Sequence, residues 1–238
     1  MKKIFFILLV LFASTFAFVS CEPNNPEQEP VFEVTTKSLT MYVGDIKTLQ
    51  VTSELAYTVK IEDEFVATTT ELKNVKGEHV GKTTITITNG KKTEVCEVKV
   101  LAKYHPFTEP YIPNYEGNSD DFGEMSNVNS RLGFQILENT SEHTFYVGKE
   151  ENVYFLYFYD SALNITEMQM RFYDVNKYEQ PVYQYIAERF KYWGYENGIT
   201  KYCYGLTPSS STLVVTEGTY TDGTNTFIAV VFTPKKKG

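Results

Sequence analysis

Cysteine and histidine are scarce, three of each in 238 residues, and there is one Trp. His79, His105 and His143 stand at no metal-ligand spacing, and no Cys-x-x-Cys pair occurs. A zinc site written in local sequence is therefore excluded. There is no Gly-x-Ser-x-Gly elbow, no phosphate-binding loop and no dinucleotide fingerprint, so the usual signatures of hydrolases and nucleotide enzymes are missing. No cofactor is implied. Basic residues are the minority, 22 Lys+Arg against 30 Asp+Glu for a net charge of −8. A nucleic-acid partner would want a basic face, so that class is set aside. Beyond Val19 no apolar run approaches the roughly 18 residues of a membrane span.

What is present begins with a leader. Met1-Lys2-Lys3 is a short positive region, Ile4 to Val19 is nearly unbroken apolar sequence, and Ser20 precedes Cys21. This is the pattern of a secretory signal peptide over 1–20. The Ser-Cys ending resembles the lipobox of bacterial lipoproteins, with Phe18 where Leu is usual. That resemblance implies cleavage before Cys21, a diacylglycerol on its sulfur, and attachment to a membrane. Residues 21–30, rich in Pro, Asn and Glu, read as a semi-extended tether. Acidic residues just after Cys21 resemble the export signal of some Gram-negative surface lipoproteins, which implies an outer-membrane, surface-exposed location. Cys96 and Cys203 read as two separate buried thiols.

Residues 31–103 are short alternating runs broken by turns at Gly44-Asp45, Lys76-Gly77 and Asn89-Gly90. Alternation marks half-buried strands, and Asn-Gly between two such runs predicts a tight hairpin with positive φ at both residues. A small all-β sandwich follows. Leu39-Thr-Met-Tyr-Val-Gly-Asp45, Phe65-Val66-Ala67, Val80-Gly81 with Thr83-Thr-Ile85, and Val95-Cys-Glu-Val-Lys-Val100 resemble a bacterial immunoglobulin-like domain of group 2. The third-strand Trp of that group is replaced by Val59-Lys60-Ile61. The resemblance implies a spacer or an adhesion module. Ten acidic and ten basic residues balance here, so no electrostatic partner is implied.

Composition changes at Tyr104. Sixteen of the 18 Tyr, ten of the 17 Phe and the only Trp lie from there on. Residues 104–119 are Pro-, Tyr- and Asn-rich and read as an extended linker that packs by its aromatics, the preferred site of proteolysis between two domains unless those aromatics glue the domains into one cooperative unit. Asp121 and Glu124 form a capping box for a helix over 121–132, with Gly133 as its stop. A Ca²⁺ site from Asn118, Asp120, Asp121 and Glu124 lacks the EF-hand spacing. Strands are expected at 133–138, 143–147, 153–159 and 165–172, then at 199–205, 211–217 and 225–233. A second helix is expected over 179–192, with Pro181 in its first turn and Gly194 ending it. The order helix, strands, helix, strands makes 104–238 an α+β domain. It resembles the β-lactamase-inhibitor-protein-like folds in topology, and topology transfers no function.

Chemistry is sparse. Cys203 in Tyr202-Cys-Tyr204 reads as a strand thiol, and Glu150-Glu151 and Asp120-Asp121 read as turn and cap residues. The aromatic surplus is the unusual feature. Trp193, Tyr195, Tyr202 and Tyr204 are the candidate stacking surface for a glycan or protein partner. The expected function is a non-catalytic envelope lipoprotein with a binding domain on an immunoglobulin-like spacer. The alternative is a hydrolase of polysaccharide or peptide with a dispersed site, marked by two converging carboxylates of shifted pKa in one cleft.

Overall fold

The computed structural model describes residues 29–235, so the leader, Cys21 and most of the tether lie outside the described residues. From Phe32 onward the chain forms one compact unit. Its strands up to Leu101 are β1 (Phe32–Val34), β2 (Ser38–Tyr42), β3 (Ile46–Thr48), β4 (Val51–Ser53), β5 (Thr58–Ile61), β6 (Ala67–Glu71), β7 (Asn74–Gly77), β8 (Gly81–Thr88) and β9 (Thr93–Leu101). They make a four-stranded sheet in the order β2-β9-β8-β5, a three-stranded sheet β3-β7-β6 and the pair β1-β4. Alternation sends Ile85 and Ile87 of β8 and Cys96, Val98 and Val100 of β9 inward, where they meet Val75, Ala67 and Leu49 in one core. A sandwich results, because each strand buries only every second side chain.

The hairpin at Asn89-Gly90 is looser than its sequence suggests. Thr88 pairs with Thr93, so the loop holds Asn89 to Lys92. Only Gly90 takes positive φ, at 84°. The Asn89 side chain instead accepts from the backbone N–H groups of Lys91 and Lys92, a local hydrogen-bonded turn that Asn forms readily.

The remaining elements are α1 (Phe122–Leu132), β10 (Gln135–Asn139), β11 (His143–Val147), β12 (Val153–Tyr159), β13 (Ile165–Phe172), α2 (Val175–Arg189), β14 (Lys191–Glu196), β15 (Ile199–Cys203), β16 (Leu213–Asp222) and β17 (Asn225–Pro234). All eight strands form one antiparallel sheet, ordered β10-β11-β12-β13-β17-β16-β15-β14. Met125 of α1 and Tyr178, Val182, Tyr185 and Ile186 of α2 share a core with Phe155, Met168, Met170, Phe172, Val215, Val230 and Phe232. Both helices thus cover the same face of the sheet.

Local signals explain most boundaries. Asp121 accepts from the Glu124 N–H, and Gly133 ends α1 at φ 79°. The return half of the capping box is absent, because Ser119 Oγ donates to Glu124 and receives the Asp121 N–H. The second helix starts earlier and ends earlier than 179–192. Asp174 is the cap, accepting from Lys177 N–H, and Pro181 lies inside the helix. Phe190 is already extended at φ −135°, ψ 141°. Gly194 therefore stops nothing; it lies within β14, a strand the sequence reading missed.

Segment 104–119 is packed. Phe107, Tyr111, Ile112 and Tyr115 all lie in the helix–sheet core. Tyr111 N–H donates to Asn129, and Tyr157 hydroxyl to Tyr111 carbonyl at 2.7 Å. Glu150 accepts from both the N–H and the hydroxyl of Thr108. Proteolysis needs exposed, contact-poor backbone, which leaves only the exposed residues 104–105 and 116–117 of this segment open to a protease. Limited proteolysis is expected to leave no stable fragment cut at 104–119, with circular dichroism and tryptophan fluorescence reporting a single unfolding transition. Two separated transitions would refute this.

Sandwich and helix end are tied at α2. The buried Glu188 carboxylate accepts the N–H groups of Lys103 and Tyr104 at 2.9 and 3.0 Å. The Glu188 carbonyl takes the Val80 N–H at 2.9 Å. Beside it, the Arg189 guanidinium bonds Glu109 and the Tyr185 carbonyl. On the sandwich side Phe65 stacks on His79 with centroids 4.4 Å apart and meets Tyr204 edge-on at 5.2 Å.

His79 gives this junction a pH dependence. Burial holds its pKa below the ordinary 6.5, against the opposing pull of the Phe65 carbonyl and Glu78. The unfolded chain then takes up the proton first, so stability is full above pH 6.5 and declines as pH falls below it. Melting temperature is expected to drop between pH 7.5 and 5.5 more in the native chain than in His79→Gln. Equal drops would remove His79 as the cause.

Candidate functional site

The four aromatic residues singled out in sequence do not share a surface. Trp193 is the bulged residue of β14, between the pairs Tyr192↔Tyr202 and Gly194↔Lys201. Its indole N–H donates to the Tyr202 carbonyl, and the Lys201 ammonium lies 5.5 Å from its ring centroid. Trp193 therefore lies on the helix-free face, with Lys201. Tyr195 is 67% exposed but pairs with Thr200 on the opposite face. Tyr202, at 2% exposure, belongs to the helix–sheet core. Tyr204 is half-buried against Phe65, Tyr115 and Phe190. Tyr202 and Tyr204 are core and junction residues, because strand alternation from Lys201 turns Tyr202 inward and the sandwich closes over Tyr204.

A different set of rings comes together on the helix-free face. Phe145 of β11, Tyr154 of β12, Tyr173 just past β13, Phe227 of β17 and Tyr220 of β16 follow one another, one per strand across five adjacent strands. Successive centroids are 5.6, 5.4, 4.9 and 6.1 Å apart. These spacings follow the separation of neighbouring strands, about 4.8 Å. Phe227, the fourth ring, is buried; the other four are half-buried. Alternation puts them here: their chain neighbours Tyr146, Phe155, Phe172 and Ile228 fill the core on the other side.

Polar groups flank the row. The Arg171 guanidinium lies 5.3 Å from the Phe227 centroid and donates through Nε and one terminal nitrogen to Gln169. Gln169 in turn donates to Glu167 at 2.6 Å. Together these three make a hydrogen-bonded polar ladder along β13. At one end of the row Asn152, Thr224, Asn225 and Thr226 border a groove of about 620 Å³ with Phe145, Tyr154 and Tyr173. A flat apolar strip beside fixed donors and acceptors can stack a planar or ring-shaped partner and read its hydroxyl groups.

A second concavity, about 650 Å³, lies between the sandwich and the end of α2, and Glu109, Glu116, Tyr115, Lys82, Lys99 and Arg189 line it. Burial raises the Glu116 pKa, and the neighbouring Glu109 charge raises it further. Glu109 itself is engaged by Arg189 at 3.2 Å. Cys96 and Cys203 are both buried and unbridged, and burial raises both thiol pKa values. Among the described residues no group of three or more His, Cys, Asp or Glu could hold a metal ion. No helix there is long and apolar enough to cross a membrane.

No protein-family description and no curated protein matches the chain. Among solved structures, domains 5–6 of the S-layer protein SbsC align at 16% identity over 87% of each chain, with a TM-score of 0.27. In a longer SbsC structure the match takes in 23% of that chain. A SusE-like surface located polysaccharide binding protein from the Bacteroides thetaiotaomicron heparin utilisation locus aligns at 10% identity, over 85% of this chain and 34% of that one, with a TM-score of 0.25. The titin Ig tandem A164–A165 aligns at 11% identity, over 84% and 93%, with a TM-score of 0.23.

Proposed function

We propose that the chain is a non-catalytic, surface-exposed outer-membrane lipoprotein that binds a glycan on the aromatic row. In this reading Cys21 carries the lipid and residues 21–30 are the tether. The immunoglobulin-like sandwich is the spacer that lifts the α+β part from the membrane, and nucleic acid is not a partner. The single supporting observation is the five-ring row, Phe145 to Tyr220, beside the Glu167–Gln169–Arg171 ladder. Sugar rings offer apolar C–H faces to aromatics and hydroxyls to polar neighbours, and both needs are met here.

The test is a binding screen of the full chain against neutral and acidic polysaccharides, followed by titration of the best one. Tyr154→Ala and Tyr173→Ala are each expected to weaken binding about tenfold, or about 1.4 kcal/mol, with little change on raising salt. Trp193→Ala is expected to matter less. Unchanged binding in the Tyr154→Ala/Tyr173→Ala double variant would overturn the proposal, as would capture of a protein with no glycan bound.

One observation favours the hydrolase reading: Glu109 and Glu116 share a cleft, and the Glu116 pKa is raised. Release of new reducing ends by the native chain, lost in Glu116→Gln, would make it an enzyme.

A further inference from the structure

The eight-stranded sheet ends in β14, whose outer row of N–H and C=O groups has no strand beside it. An open edge of this kind is a template for another strand, and proteins usually blunt it with charge, proline or a covering loop. Here it is lined with large rings instead: Tyr192 is 58% exposed, Trp193 42% and Tyr195 67%. The other edge, β10, is open as well, but its single charged residue is Glu138, so a second copy of β10 offers it no opposite sign.

The residues of β14, Lys191-Tyr-Trp-Gly-Tyr-Glu196, are their own complement when a second copy runs antiparallel. Turned about a point between Trp193 and Gly194, the strand sets Lys191 opposite Glu196, Tyr192 opposite Tyr195 and Trp193 opposite Gly194. The faces agree as well. Tyr192 and Tyr195 pair with Tyr202 and Thr200, and those two border a hollow with Tyr183 of α2, on the helix side. Lys191, Gly194 and Glu196 pair with Cys203, Lys201 and Ile199, which alternate to the other face, where Trp193 also lies. The bulge at Trp193 produces this symmetry, because it puts Trp193 and Gly194 on one face and leaves the two tyrosines three residues apart. A bulged edge misfits a regular strand, whereas a second copy carries the same bulge at the facing place.

Space and charge are available. A Cβ at Gly194 would meet nothing within 4 Å, which leaves room for the facing indole. Lys191 forms no ion pair among the described residues, its ammonium donating to the Leu206 carbonyl. Glu196 pairs with Lys201 of its own chain, yet its side chain stays 64% exposed and open to a second cation. Opposite charges at the two ends of one strand match the self-complementary patch that a two-fold dimer requires.

We infer that β14 is a homodimer interface: the β14 strands of two copies pair antiparallel about a two-fold axis between Trp193 and Gly194, joining two sheets into one. A two-fold perpendicular to the sheet keeps its faces aligned, so both aromatic rows look the same way. Under the glycan reading, on which this one consequence rests, the dimer is a two-site binder with added avidity for a long polymer.

The test begins with sedimentation of the full chain in density-matched detergent, which is expected to show dimers. Lys191→Glu and Glu196→Lys each place like charges opposite one another and are expected to weaken self-association about tenfold. Mixed together, the two variants are expected to associate again, since every facing pair then has opposite signs. Disulfides read the register. Tyr192→Cys and Tyr195→Cys chains are expected to cross-link when mixed, because directly opposite Cα atoms lie about 5 Å apart. Neither should cross-link alone, because same-numbered residues are three out of step and beyond disulfide reach. Tyr154→Ala should leave the dimer intact, which separates failure here from failure of the glycan reading. The inference is overturned by a monomer at every protein concentration, by no recovery in the mixed charge variants, or by cross-linking of Leu137→Cys chains through β10.

Discussion

Replacing Glu188 by alanine is expected to cost about 3–5 kcal/mol of unfolding free energy. Three things go wrong together. The N–H groups of Lys103 and Tyr104 lose their acceptor, and a buried unpaired donor costs about 1–3 kcal/mol. The Arg189 guanidinium, 2% exposed, keeps Glu109 but loses the nearby Glu188 charge at 3.9 Å. A small void opens where sandwich and helix meet. Glu188→Gln keeps one acceptor oxygen and the volume, so its cost should be smaller, about 1–2 kcal/mol. Glu179→Ala, at an exposed position of α2, is the control and should be near neutral. Urea unfolding is the measurement: Glu188→Ala should lower the midpoint at constant slope, because one cooperative unit is weakened. A cost below 1 kcal/mol would show that the junction is held by its rings alone.

Cys21→Ser is expected to move the protein from the membrane to the soluble fraction and to abolish labelling with palmitate. The serine hydroxyl is a far poorer nucleophile than the thiolate and cannot form the thioether to diacylglycerol. The acyl chains would supply nearly all of the membrane affinity. Each buried methylene contributes about 0.8 kcal/mol, so two or three chains bind almost irreversibly while none leaves only weak contacts. Among residues 29–235 no helix is long and apolar enough to span a membrane. Retained palmitate label in the variant, or retention in the membrane fraction after a carbonate wash, would refute the anchor.

The sequence was most legible where one local rule decided the outcome. Asp121 and Gly133 bracket α1 because a cap and a left-handed stop act on their own neighbours. The run from Met168 to Phe172 shows its inward face because Met168, Met170 and Phe172 are all large and apolar. Legibility failed where two local rules competed. Pro181 suggested a helix start at 179, yet Asp174 had already capped it. Reading the helix on to 192 with Gly194 as its stop then hid β14.

Segment 104–119 was legible in part: its aromatics pack, as expected, but where they pack was not readable. Its prolines forbid regular structure, but the partners that bury it, Asn129, Glu150 and Tyr157, lie far along the chain. The ring row required the register of five strands at once. One piece of it was within reach: the Asp222-Gly223 turn places Tyr220 opposite Phe227. Tyr154 and Phe145 could be aligned with that pair only once β17 was known to lie against β13.

The position of β17 governs how this molecule can be made. It is the last strand in chain order, yet it lies in the middle of the sheet, with β13 on one side and β16 on the other. Until it arrives, the eight-stranded sheet exists only as two unjoined groups, each with a bare inner edge and a helix that has half a floor to pack on. A chain made from its amino end therefore cannot close the helix–sheet core early. The sheet locks only when the final strand slides between the waiting edges. The same geometry sets a hazard: a chain stalled just short of Asn225 exposes two sticky borders at once, an open invitation to join with its neighbours.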